Sequence, residues 1–197
     1  MRMCDIHTAM KLATAPVVEP ITYAQAKLFL RLANNEDQTL VEGLIVAARV
    51  KVESDTARAL IDQAWDLYLD AFPTDAILIP KAPLVSVTSI KTTSAAGVQS
   101  TLDASHYQVD TASVPPRIVL SDAGAWPTDL RRTQPIVIRL AMGYGAAGSL
   151  VPSPLLRAME QLIAHWYMHR TAALYAPVPR WVGYGALIAP YCHVELV

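Results

Sequence analysis

The sequence predicts an α+β fold: a helical bundle built from N- and C-terminal helices, with a small antiparallel β-module inserted between them. Three observations predict it. Apolar residues recur at helical spacing before residue 60 and again after residue 152. Between those stretches they alternate with period two, and Pro and Gly punctuate the middle at short intervals. Strands that follow one another without intervening helices argue for an antiparallel arrangement rather than βαβ units.

Residues 1–18 lack clear periodicity and contain Pro16, so they read as an N-terminal arm. Thr22 is an N-cap candidate, with Gln25 three residues on to complete a capping box. Tyr23, Ala26 and Leu30 then share a face, and the helix is expected to end near Leu32. Asn35 is placed to cap a second helix that runs to about Arg58, with Leu40, Val41, Leu44, Ile45, Ala48 and Val52 as its apolar stripe. Trp65, Leu67 and Leu69 alternate with Asp66, Tyr68 and Asp70 as a half-buried strand. A β-branched run from Val85 to Thr93, a hairpin loop at Ala95-Ala96-Gly97 and a return strand over Val98 to Leu102 follow. Short strands are expected around Tyr107 and Val109 and around Ile118 and Leu120. A last strand places Ile136, Ile138, Leu140 and Met142 on one face, giving five or six strands in all. After Pro152, Ser153 is a cap candidate and Pro154 suits the opening turn of a helix with Leu155, Met159, Leu162, Ile163 and Trp166 inward. It is expected to end near Arg170, with a short terminal helix from Val182 to Ala189. The domain plan is thus an arm at 1–18, a helical body at 19–60 and 152–176, a β-module at 61–142 and a C-terminal docking segment at 177–197.

Only 17% of the 197 residues are charged while 53% are apolar, and the formal net charge is -1. Soluble domains average about 25% charged, so the chain is poor in charge. A disordered chain and a strongly basic nucleic-acid binder are excluded by these figures. No stretch of about 18 apolar residues is free of charge, so no membrane span is expected. Arg2, Asp5, His7 and Lys11 interrupt any apolar leader, and Cys4 and Cys192 do not make a secreted disulfide framework, so cytosolic synthesis is expected. The excess apolar surface is then expected to meet another protein chain.

Chemistry-bearing patterns are few. Gly143-Tyr144-Gly145-Ala146-Ala147-Gly148 matches the spacing of a dinucleotide fingerprint after a strand. However, Pro152 and Pro154 place the next helix start several residues beyond Gly148, and no acidic residue follows at the distance a ribose would need. A flexible strand-to-helix connection is the expected reading. His165 and His169 share a helix face, but the zinc-protease pattern requires Glu after the first His and the chain has Trp166. Asp55 and Asp62, like Asp103 and Asp110, read as solvated turn carboxylates rather than an acid/base pair. No nucleophile elbow is present. No catalytic residue, metal site or cofactor is therefore expected. The C-terminal stretch holds Tyr175, Arg180, Trp181, Tyr184 and Tyr191 in an almost charge-free context. Aromatic residues and Arg are enriched at protein–protein hot spots. Either this segment packs back on its own helices or it meets a partner.

Several blocks together resemble the head–tail connector (adaptor, head-completion) proteins of tailed phages and gene transfer agents. They are Glu19-Pro-Ile-Thr-Tyr-Ala-Gln-Ala-Lys-Leu-Phe-Leu-Arg31, Leu44-Ile-Val-Ala-Ala-Arg49, Arg58-Ala-Leu-Ile61 before Trp65, Pro80-Lys-Ala-Pro-Leu-Val-Ser-Val-Thr-Ser-Ile90, Gly143-Tyr-Gly145 and Leu162-Ile-Ala-His-Trp-Tyr167 with Arg170. Their order spans roughly residues 17–192. Ala57 and Met168 depart from the family, which often has Gly and an acidic residue there. The resemblance implies a non-enzymatic virion protein, made in the bacterial cytoplasm and located at the head–tail junction. It further implies a ring, typically a dodecamer, that sits on the portal protein and extends the DNA channel. DNA would pass without sequence-specific binding, and the ring would present a platform to a stopper or tail-completion protein. By the same resemblance the C-terminal segment docks on the portal, with Arg180, Trp181, Tyr184 and Tyr191 as candidate contacts. The alternatives are a small nucleotide- or metal-dependent enzyme and a generic oligomeric scaffold.

Overall fold

The computed structural model describes residues 8–169 and 182–192. It bears out the α+β expectation, with helices and two antiparallel sheets. The described chain divides into two compact units: residues 8–17 with 62–143, and residues 18–61 with 144–169 and 182–192.

The first unit holds every strand among the described residues. A five-stranded sheet has the order β1-β2-β8-β4-β5, from Thr8–Thr14, Gln63–Leu69, Ile136–Met142, Leu84–Thr93 and Gln99–Thr101. A three-stranded sheet has the order β3-β7-β6, from Ala76–Leu78, Arg117–Leu120 and Tyr107–Asp110. The central strand β8 has the alternation the sequence predicts: Ile136, Ile138, Leu140 and Met142 are buried. On its other face Arg139 lies opposite Asp66 of β2 and donates to both carboxylate oxygens. The Asp66 hydrogen bond holds the Arg139 guanidinium above its ordinary pKa. In the smaller sheet, Ile77 and Ile118 are cross-strand partners and both are fully buried.

Two expectations change here. Part of the arm expected at residues 1–18 is β1, an edge strand in register with β2 from Thr8↔Leu69 to Leu12↔Trp65. Its residues are mostly exposed, so it carries no two-residue apolar period, and only pairing with a distant strand reveals it. The strand Ala76–Leu78 was likewise not expected, because three residues between prolines at 73 and 80 are too short to show a period.

The second unit is helical. In α1 (Tyr23–Leu30) the Thr22–Gln25 capping box forms as expected, and Arg31 closes the helix in the left-handed conformation. The helix α2 (Gln38–Thr56) begins after Asp37, not Asn35, and Ala57 ends it at φ 50°. In α3 (Ser153–Met168), Pro152 holds the cap position and Ser153 opens the helix instead of capping it. The last helix, α4, covers Val182–Ile188 and runs into a 3-10 turn at Ala189–Tyr191. One apolar cluster joins them: Ala26 of α1, Val41, Ile45, Ala48 and Val52 of α2, Leu155, Met159, Leu162 and Ile163 of α3, and Ile188 of α4. Each fully buried Leu or Ile contributes roughly 1.5–3 kcal/mol, more than helix propensity differences do. Burial of one face therefore decides where α2 forms, despite Gly43 in its middle.

A buried ion network pins the entry to this unit. Arg49 donates to both oxygens of Glu19 (2.8 and 3.2 Å) and to Glu53 (3.1 Å), and Glu53 also accepts the Leu60 amide at 2.8 Å. Burial pulls the Arg49 pKa down, but the hydrogen bonds and charges of Glu19 and Glu53 outweigh it and hold it above its ordinary value.

Candidate functional site

Of the four candidate contact residues, Arg180 and Trp181 lie outside the described residues, and Tyr184 and Tyr191 are placed on the chain's own helices. The Tyr184 hydroxyl donates to Asp55 Oδ2 at 2.7 Å, and Cys192 Sγ lies 3.5 Å from the Asp55 carbonyl oxygen. Arg58 donates from Nε to the Tyr191 carbonyl at 2.8 Å and from Nη1 to the Tyr144 hydroxyl at 3.0 Å. The Arg58 guanidinium also sits 5.5 Å from the centre of the Tyr191 ring, a cation–π distance. Asp55 in the last turn of α2 and Arg58 just beyond it thus clasp the segment that carries α4.

The electrostatics suit a clasp, not acid/base chemistry. Burial first, then the bond to Asp55, pushes the Tyr184 phenol far above its ordinary value. Burial also raises Tyr144, with Arg58 partly opposing it. Both phenols are neutral at physiological pH: Tyr184 donates to Asp55, and Tyr144 accepts from Arg58. Asp55, expected as a solvated turn residue, accepts from Tyr184 and from Lys51 (2.5 Å). The sequence reading missed Asp55, Arg58 and Tyr144 as a group. A signal existed for two of them, since Arg58 and Tyr144 fall inside the blocks that carry the family resemblance.

The Gly143–Gly148 pattern has a packing explanation. The chain enters a 3-10 turn at Gly148–Leu150, and α3 begins only at Ser153, so the third glycine is not in a helical opening turn. A Cβ on Gly145 would stand 2.2 Å from Leu150 Cδ1, and one on Gly148 would stand 2.0 Å from the Pro20 carbonyl oxygen. These glycines admit close neighbours. The rings of His165 and His169 lie 4.6 Å apart, and burial first, then the neighbouring imidazole, lowers the His165 pKa. Among the described residues no group of three or more His, Cys, Asp and Glu is placed to hold a metal ion. No helix among them is long and apolar enough to cross a membrane.

The exposed surface of the helical unit is notably apolar. On α1, Leu28 is 81% exposed and borders a shallow groove with Ala24, Lys27, Arg31 and Leu32. On α2, Leu40, Val46 and Val50 are 41%, 42% and 52% exposed.

No protein-family model and no curated protein matches the chain. Solved structures do. The chain resembles a chain of the "neck of empty GTA particle computed with C6 symmetry", with a TM-score of 0.83, 25% identity and 96% of this chain and 97% of that one covered. A chain from the "virion of native gene transfer agent (GTA) particle" aligns with a TM-score of 0.80, 25% identity and 95% and 97% coverage. A third, from the "neck of native GTA particle computed with C12 symmetry", gives 0.72, 26% identity and 94% and 98% coverage. Sequence blocks and whole-chain fold point the same way: the chain is similar over nearly its whole length to proteins of the neck and virion of gene transfer agent particles, which supports the resemblance to head–tail connector-type proteins.

Proposed function

We propose that this chain is a structural, non-enzymatic protein of a particle neck: a head–tail adaptor that assembles as a ring, of twelve copies by family likeness, on the portal protein. In that position it extends the DNA channel and offers a platform to a stopper or tail-completion protein. The observation that carries this reading is the near-complete alignment, from 94 to 96% of the chain, with chains of solved neck and virion particles. The apolar surface of the helical unit supports it, since a protein that works inside an assembly keeps such surface for its neighbours. A net charge of -1 suits a channel through which DNA must slide, because tight phosphate binding would hinder passage.

Under this proposal residues 177–197 dock on the portal, with Arg180 and Trp181 as direct contacts. Tyr184 and Tyr191 serve by fixing the segment to α2 through Asp55 and Arg58. The test is to mix the purified chain with portal and examine the product by light scattering and negative-stain microscopy. A ring added to the portal is the expected result. A chain that joins neither portal nor particles at any concentration overturns the proposal.

A further inference from the structure

Gly43 stands in the middle of the nineteen-residue helix α2, and a Cβ built on it meets nothing within 4 Å. Glycine at such a position destabilises a helix relative to alanine. Nothing among the described residues requires it. The neighbours of Gly43 on the outer face are Leu40, Val46, Ala47 and Val50, which share an arc at spacings of three, four and seven. The opposite face, Val41, Ile45, Ala48 and Val52, is the buried one. So α2 is apolar on two sides, and among the described residues only one side has a partner. A helix apolar on both sides is a helix with a second neighbour. A glycine at the centre of the free face lets that neighbour's backbone come close.

The chain carries a surface that fits. The groove beside α1 is lined by Ala24, Leu28 and Leu32, with Lys27 and Arg31 at its rim, and α1 itself contains no acidic residue. The free face of α2 is flanked at its N-terminal end by the exposed carboxylates Glu36 and Glu42. The two surfaces are complementary in charge, and both are apolar at the centre. They are also different surfaces, as a head-to-tail contact between identical subunits requires.

We propose that the outer face of α2, centred on Gly43, is the seat for the α1 groove of a second copy of this chain. Leu28 of one copy packs beside Gly43 of the next, and Lys27 and Arg31 face Glu36 and Glu42. This rests on the ring reading above and adds to it the two surfaces that meet.

The test uses the full chain in sedimentation velocity and light scattering over a wide concentration range. Wild type is expected to self-associate. Gly43→Arg is expected to keep the wild-type melting temperature or raise it, since its side chain has open space, and to weaken association by roughly tenfold or more. Arg31→Glu and Glu42→Arg are each expected to weaken it, and the two changes made together to restore it in part. An equal mixture of Leu28→Asp and Val50→Asp chains, each with one intact surface, is expected to stop at the dimer. Two results overturn the pairing and leave the portal experiment to decide the adaptor reading: variants that associate as well as wild type, or a wild-type chain that stays monomeric at its highest soluble concentration.

Discussion

Ala57 closes α2 with φ 50° and ψ 39°, a conformation that puts a Cβ too near the following carbonyl oxygen. Glycine has no such penalty, and it is the usual residue after a helix end. Ala57→Gly is therefore expected to stabilise the chain by about 1 kcal/mol, read as a rise of a few degrees in the thermal unfolding midpoint. Gly148 is the opposite case. Its missing Cβ leaves room for the Pro20 carbonyl oxygen, which would lie 2.0 Å away and belongs to the backbone. Gly148→Ala is expected to destabilise by about 2 kcal/mol or more, measured by denaturant titration of the same chain. The two residues differ in how far the sequence could speak for them. The anomaly at Ala57 was legible, because a helix end without glycine is a local departure. The reason for Gly148 was not, because its neighbour lies far away in the chain and a glycine spacing does not state what approaches it.

At the scale of elements, legibility follows burial pattern and length. Buried faces with a sustained period were readable, as in α2, α3 and β8. The strand β1 was not, since an edge strand with mostly exposed residues has nothing to alternate. The candidate site divides in the same way. The aromatic content of the C-terminal segment was visible, and so was the choice between packing back and meeting a partner. The grip of α2 on that segment was not, because it depends on Arg58 lying near Tyr191, 133 positions along the chain. This grip is testable. Arg58→Ala removes the bonds to the Tyr191 carbonyl and the Tyr144 hydroxyl together with the ring contact. Hydrogen bonds from a charged donor contribute about 1.5–3 kcal/mol each at most. Amide exchange in residues 182–192 is expected to speed up roughly tenfold or more, while the amides of β8 keep their protection. Equal acceleration in both places would show that Arg58 holds the whole chain and not this segment.

For the whole molecule the informative fact is that both units are assembled from separated stretches of chain. The strands from β2 to β8 occupy one continuous insertion, Asp62–Gly143, between Ile61 and Tyr144 of the helical unit. The ends of that insertion lie close together within the helical unit, since the Tyr144 amide donates to the Leu60 carbonyl at 3.4 Å. The apolar cluster of the helices contains only residues from before and after the insertion, from Ile21 to Ile61 and from Val151 to Ile188. A unit that owns its core and closes its own gap meets the physical conditions for folding alone. Replacing Asp62–Gly143 by a short Gly/Ser linker, and starting the chain at Val18, is therefore expected to leave a helical protein. Circular dichroism should show the helices, and unfolding should remain a single cooperative transition with a lower midpoint, since a smaller domain buries a smaller fraction of its surface. The shortened chain should also keep the concentration-dependent association of the full chain, because α1 and α2 supply both surfaces of the proposed contact. Loss of helix and cooperativity would mean that the insertion is part of the folding unit. A folded but strictly monomeric product would mean that the strands, and not α1 and α2, bring neighbouring copies together.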